Sequence, residues 1–218
     1  MTRISVTDIP TREFSAAVSS PEDAAAVSSR VSRQLLDSAV ARTIAILAHD
    51  VRNSLGVVSM QVEAIAVRAA SKTADIGAIQ AHASVASDHI ERLAEMTNAL
   101  IAFARGRTSS DLAVIVKEAA ALLPMREVSV RCPGFAAVGL DPLLTRAVTL
   151  ELLVLALGNP AVPTFVVDCD GASSSLEVNT GANLGADESL EWVVQFQKAG
   201  GRITKTGDGL RLQFPPIV

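Results

Sequence analysis

Tyrosine is absent from this 218-residue chain, tryptophan occurs once, and aromatic residues of all kinds make up only 3%. Charge is also scarce, at 19% of residues, while 49% are hydrophobic, which excludes an intrinsically disordered chain. No run approaches the ~18 uninterrupted apolar residues of a membrane-spanning helix. The best candidate, Ala147 to Leu157, is short and carries Glu151. The opening residues, MTRISVTDIPTREFS, lack the apolar core of a signal peptide. Two cysteines, Cys132 and Cys169, make neither a zinc pattern nor a disulfide framework, which suits a reducing compartment. With a net charge of −4 and no Lys/Arg patch, the footprint of a nucleic-acid binder is missing. A soluble cytoplasmic protein is the expectation, with no membrane and no nucleic-acid partner.

Proline and glycine are unevenly spread. None of the nine prolines falls between Pro21 and Pro124, and only Gly56 and Gly77 of the thirteen glycines lie in the first 105 residues. Aromatics are missing between Phe14 and Phe103. Such a segment, rich in Ala, Leu, Val, Glu and Arg, predicts helix. After Gly106, turn residues recur as they do in mixed α/β chains. We expect a loose arm over residues 1–19, a helical hairpin over 20–106 and a second unit over 110–218. Ser20-Pro21-Glu22-Asp23 has the form of a helix start, and residues 70–75 read as a short connection. A second helix from about Ile76 to Arg105 completes the hairpin.

Apolar periodicity supports that hairpin. Ile44, Leu47, Val51, Leu55, Val58, Val62 and Ile65 recur at steps of three and four. Ile76, Ile79, Ala83, Ala86, Ile90, Leu93, Thr97, Leu100 and Ala104 keep the same rhythm. This is the seam of a left-handed bundle. A lone hairpin covers only one side of each rod, so two hairpins joined as a four-helix homodimer are expected.

One histidine stands off that stripe. With Ile44 at zero and ~100° per residue, the stripe clusters near 340° and His49 falls near 140°. Asn53 is one turn on, and Gly56 on the same side leaves room for an approaching group. Asp50 and Arg52 flank the face. A solvated surface histidine is the simplest account of such a residue. The chemical account is a nucleophile: neutral imidazole is available at cell pH and attacks phosphorus without prior deprotonation. A neighbouring carboxylate holds one ring nitrogen as N–H and leaves the other its lone pair.

The residues His49-Asp50-Val51-Arg52-Asn53-Ser54-Leu55 resemble the phosphoacceptor box of the sensor histidine kinases. The stretch Ala99 to Arg105 is similar to the exit of their dimerisation hairpin, and the likeness covers about residues 30–106. In such kinases a Bergerat-type ATP-binding domain follows. The second half has a matching coarse pattern: helix 111–123, strand 128–132, helix 142–157, strands 164–168 and 176–179, helix 188–199, strands 202–206 and 210–214. This predicts an α/β sandwich of antiparallel strands with helices on one face.

The family's nucleotide chemistry does not carry over. Asp141-Pro142 matches the opening of its asparagine box, yet Glu151 and Leu155 stand where asparagines should face Mg²⁺ and phosphate. Leucine offers Mg²⁺ no oxygen. In place of Asp-x-Gly-x-Gly the chain has Asn179-Thr180-Gly181-Ala182-Asn183, and Ala186-Asp187-Glu188-Ser189-Leu190 replaces a phosphate-cradling loop. Gly200-Gly201 survives and reads as a structural turn. The expectation is therefore a degenerate ATPase domain kept as a scaffold.

The chain thus resembles the dimeric histidine phosphotransferases of bacterial two-component signalling. That resemblance implies phosphorelay between response-regulator receiver domains through His49. Asp50 would orient the imidazole, and Arg52 and Asn53 would contact the phosphoryl group or the partner. It implies no cofactor or metal of its own, with Mg²⁺ supplied by the receiver. Two other readings stay open: a divergent kinase that autophosphorylates from ATP, and a non-catalytic adaptor or phosphatase in which Asn53 places a water. His82 and His89, seven apart, are too distant to share a metal and read as bundle-edge residues. Trp192 and Phe196 read as a helix's core anchor, and Asp168-Cys169-Asp170-Gly171 as a strand-ending turn.

Overall fold

A computed structural model describes residues 21–71, 73, 75–105, 109–123, 128–132, 134–157, 163–170, 173–180 and 189–216. Helices α1 (Pro21–Ala69) and α2 (Ile76–Ala104) form the hairpin. Then come α3 (Leu112–Ala120), β1 (Ser129–Arg131), α4 (Pro142–Leu157), β2 (Thr164–Asp170), β3 (Ser173–Asn179), α5 (Glu191–Lys198), β4 (Arg202–Thr206) and β5 (Gly209–Phe214). The expected arm, and Ser20 of the expected helix start, lie outside the described residues.

Local chemistry explains where the helices begin. Asp75 caps α2 by accepting from the Ala78 amide at 3.1 Å. Asp111 caps α3 at Ala113 and also accepts from the Ala136 amide, so one carboxylate starts a helix and anchors a loop. Asp141 accepts from the Leu143 amide at 3.0 Å, with Pro142 as the first residue of α4. The Asp141-Pro142 pair thus acts as a helix start.

The strands order as β1-β2-β3-β5-β4. Three of the four pairings are antiparallel, but β1 and β2 run parallel, which corrects the all-antiparallel expectation. The reason is the connection: α4 lies between β1 and β2, and a helical crossover returns the chain in the same direction. Strand 164–170 also extends through Asp168–Asp170 in register with Ser173–Ser175, so the first three residues of the expected turn are paired strand. Leu176, Val178, Leu210, Leu212 and Phe214 are buried, while Arg211 and Gln213 point outward. Helices α3, α4 and α5 cover the apolar face. At the end of α5, Gly200 adopts φ +89°, and a Cβ on Gly201 would press to 2.5 Å from the Phe196 ring. The Gly-Gly pair is a turn required by packing.

Helix α1 runs between the expected start and the expected connection, and its packing is what the sequence does not show. At ~1.5 Å per residue its 49 residues span about 73 Å, against about 44 Å for the 29 of α2. The overhang packs on α4, so α4 has the sheet on one side and α1 on the other. Leu35, Leu36 and Ala39 of α1 join one continuous core with Ala147, Val148 and Leu152 of α4, and with Phe165 and Leu212 of the sheet. Arg146, wholly buried on α4, donates to Glu118 of α3 at 2.6 Å and lies 4.9 Å over the ring of Phe103 at the end of α2. The units expected as 20–106 and 110–218 therefore share a core.

The hairpin seam differs from the predicted stripe. Leu47 is buried and Val51, Val58 and Ile65 are half-buried, but Ile44, Leu55 and Val62 are exposed. On α2, Ala86 is buried and Ile79, Leu93 and Leu100 half-buried, whereas Ile76, Ala83, Ile90, Thr97 and Ala104 are exposed. Polar residues complete the seam instead: Ser54 Oγ meets His89 Nδ1 at 2.9 Å, and Gln61 meets His82. An apolar pattern misses a seam closed by hydrogen bonds.

Candidate functional site

The middle of α1 presents the site. His49 has a side chain 70% exposed and faces away from α2. Two neighbours approach the same nitrogen of its ring, Nδ1. Asn53 Nδ2, one turn on, lies 3.1 Å away, and Asp50 Oδ1 lies at 3.6 Å. These partners ask for opposite tautomers. An amide N–H donating to Nδ1 leaves the ring proton on Nε2, whereas a carboxylate accepting from Nδ1–H leaves Nε2 its lone pair. The Asp50 side chain is only 14% exposed, so its carboxylate approaches the ring from the packed side of the helix.

All four sequence-predicted residues thus gather on α1. Asp50 and Asn53 stand against the imidazole, while Arg52 is exposed on the neighbouring surface of the helix. Gly56 has open space around it: a Cβ there would meet nothing within 4 Å. That matches the expected room for an approaching group. His82 and His89, expected at the bundle edge, are half-buried in the seam. Among the described residues, no group of three or more His, Cys, Asp or Glu could hold a metal ion.

A second feature lies on the same face. Arg42, seven residues before His49, donates to Glu151 of α4. At ~100° per residue the two α1 positions differ by only about 20°, and they are separated by about 10 Å along the axis. Glu151 is buried, and burial raises its carboxyl above the ordinary range, partly opposed by the Arg42 guanidinium. The sequence shows Glu151 as a charge within an apolar run and as a lost asparagine, and does not point to Arg42 as its partner. The signal was present: a lone acid in the apolar run Ala147 to Leu157 demands a partner.

The described residues at the positions compared with a nucleotide site do not fit one. Glu151 is turned to Arg42, and Leu155 is half-buried against the core and has no oxygen on its side chain. The Asn179 amide is turned back to Glu177 at 3.1 Å. Residues 181–188, which include most of the two loops compared above, lie outside the described residues. Between α1, α4 and the start of α5 is an open cleft of about 360 Å³, lined in part by Leu35, Ser38, Arg42, Glu151, Leu190 and Trp192. No helix among the described residues is long and apolar enough to cross a membrane.

No family model matches the chain, and no curated protein does. Solved structures similar to it include a bacterial phosphotransferase, at 13% identity and a TM-score of 0.42, covering 83% of this chain and 93% of that one. The histidine kinase domain of the E. coli osmosensor EnvZ is similar at 15% identity and a TM-score of 0.39, over 50% of this chain and 87% of its own. The Acinetobacter baumannii histidine kinase AdeS is similar at 11% identity and a TM-score of 0.38, over 77% and 98%. All three scores lie below 0.5.

Proposed function

We propose that this chain is a histidine phosphotransfer protein, relaying a phosphoryl group between receiver-domain aspartates through His49 without using ATP. The observation that carries this reading is the placement of His49: outward on a long helix, with Asn53 and Asp50 close to its Nδ1. In the tautomer that Asp50 favours, the Nε2 lone pair attacks the phosphorus of an aspartyl phosphate. An N–P bond forms as the bond to the aspartate oxygen breaks, and the carboxylate leaves with that electron pair. The ring keeps its Nδ1 proton, and its new positive charge faces Asp50. Passing the group to a second receiver reverses these steps. Both phosphorylated forms are high-energy, so the protein's contribution is positioning.

The reading includes a homodimer. Ile44, Leu55 and Val62 lie on one side of α1, and Ile76, Ile90 and Ile101 on one side of α2, all exposed in the single chain. A second hairpin would cover both strips as a four-helix bundle. Mg²⁺ would be held by the receiver, since Glu151 and Leu155 do not supply a site.

Incubation with a phosphorylated receiver tests the reading. The expected result is an acid-labile label on this chain that His49→Ala abolishes. Release of inorganic phosphate without a label would favour a phosphatase, with Asn53 orienting water. Labelling by Mg-ATP alone would favour a kinase. Either result would overturn the proposal.

A further inference from the structure

A hydroxyl buried in a helix commonly bonds the carbonyl oxygen one turn back, and Thr43, Thr145 and Thr149 do so at 2.8–3.1 Å. Buried Ser54 bonds His89 instead. Ser32 of α1 does neither: it is 3% exposed, and its hydroxyl has no partner among the described residues. A buried hydroxyl left unpaired is costly, and alanine would fill the same space without that cost. What Ser32 lines is a cavity of about 140 Å³, where the overhang of α1 meets the start of α4 and the end of α5. Ser28 and Ser32, one turn apart, supply the α1 wall, and Gln195 and Lys198 supply the α5 wall. Val31 and Leu144 add apolar surface, and Val31 alone is shared with the larger cleft beside Arg42.

Size and chemistry narrow what the cavity can take. At ~30 Å³ per water it holds about five, which suits an ion of a few heavy atoms and excludes a nucleotide. Lys198 brings an ammonium group and the two serines bring hydroxyls that can donate. Among the described residues no carboxylate lines the cavity, so an anion is favoured. Gln195, however, donates its amide to Glu191 at 2.7 Å, which leaves its carbonyl oxygen to accept. The C-terminal end of α5 adds a partial negative charge. A fully ionised anion would meet that oxygen and that charge with lone pairs, whereas one that keeps a proton can donate to them. A carboxylate offers two oxygens in one plane, while walls on two helices call for acceptors in several directions. Hydrogen phosphate meets both demands.

We infer that this cavity binds inorganic phosphate, held by Lys198, Ser28 and Ser32 and donating to Gln195. Occupancy ties the overhang of α1 to α4 and α5, and so ties the second unit to the histidine-bearing helix. The site is independent of the phosphotransfer reading above and stands or falls without it.

Calorimetry and melting curves of the full chain in phosphate-free buffer test this, with inorganic phosphate and sulfate as the added ions. Ser32→Ala and Lys198→Gln alter the site, and Lys205→Gln, on the exposed edge strand β4, is the control. Phosphate should bind the wild type and the control alike, and each site variant about tenfold more weakly, the loss expected for one hydrogen bond to a charged group. Sulfate, of similar shape but without a proton, should bind the wild type about tenfold more weakly than phosphate. Without phosphate, Ser32→Ala should melt at or above the wild-type temperature, because its hydroxyl has no partner to lose. With phosphate, the wild type should gain more than the variant. Neither heat nor a rise in melting temperature from millimolar phosphate, or equal affinity in both site variants, would overturn the inference. Sulfate binding as tightly as phosphate would overturn the choice of a proton-bearing ion. A lower melting temperature for ligand-free Ser32→Ala would assign the hydroxyl to the fold and overturn its role as a ligand.

Discussion

Asn53 Nδ2 lies 3.1 Å from His49 Nδ1, the same nitrogen that Asp50 approaches at 3.6 Å. Two neighbours on one helix thus compete for one ring nitrogen, and the outcome decides whether Nε2 carries a proton or a lone pair. Only the second form presents a nucleophilic lone pair at Nε2.

Asp50→Asn should therefore move the ring proton towards Nε2 and slow phosphoryl acceptance by about 10–100-fold, the usual cost of losing an orienting carboxylate. Nitrogen chemical shifts of the His49 ring read the tautomer directly. An unchanged tautomer in the variant would remove the role assigned to Asp50.

Gly56 gives effects of opposite sign. It sits inside α1 with nothing within 4 Å of a Cβ, so Gly56→Ala should stabilise the chain by about 0.5–1 kcal/mol. A longer side chain, as in Gly56→Gln, would stand where a partner approaches and should slow transfer from a receiver. Melting curves and single-turnover transfer rates separate the two effects.

Glu151 sets a pH dependence. Burial raises its carboxyl in the folded chain despite Arg42, so folding favours the protonated form. Stability from this group is present below the unfolded carboxylate range and is lost as pH rises through the raised folded value. Relative to Glu151→Gln, the wild type should gain stability as the pH falls from about 7 towards the unfolded value of 4.5. Urea midpoints of the two proteins across that window measure the difference, and a constant offset would count against it.

The exposed apolar strips make the bundle testable. Leu55, 54% exposed, and Ile90, 54% exposed, stand on the uncovered sides of α1 and α2. Leu55→Glu or Ile90→Lys should give a folded monomer, because each puts a charge into the proposed dimer seam and leaves the hairpin's own contacts intact. Sedimentation velocity with circular dichroism checks both points.

Much of the fold was legible along the chain. Helix 142–157 and strand 202–206 match their sequence-predicted limits, and α2 differs only at its last residue. Caps, prolines, glycines and apolar rhythm act over a few residues, and so can be read there. His49, Asp50 and Asn53 were legible for the same reason: helical geometry alone brings them together.

Other features depend on residues far apart in sequence. The parallel pairing of β1 with β2 follows from the path of α4. The polar closure of the hairpin by Ser54 with His89 follows from the register of two helices. Arg42 meets Glu151 across 109 positions because the overhang of α1 lies on α4. The helices, the strands and the outward position of His49 on its helix follow from backbone geometry and local side-chain chemistry. That the second unit stands against the histidine-bearing face of α1 emerges only from the packed chain. Burying the α1 overhang and α4 against each other is a property of two distant surfaces, and no local pattern encodes it.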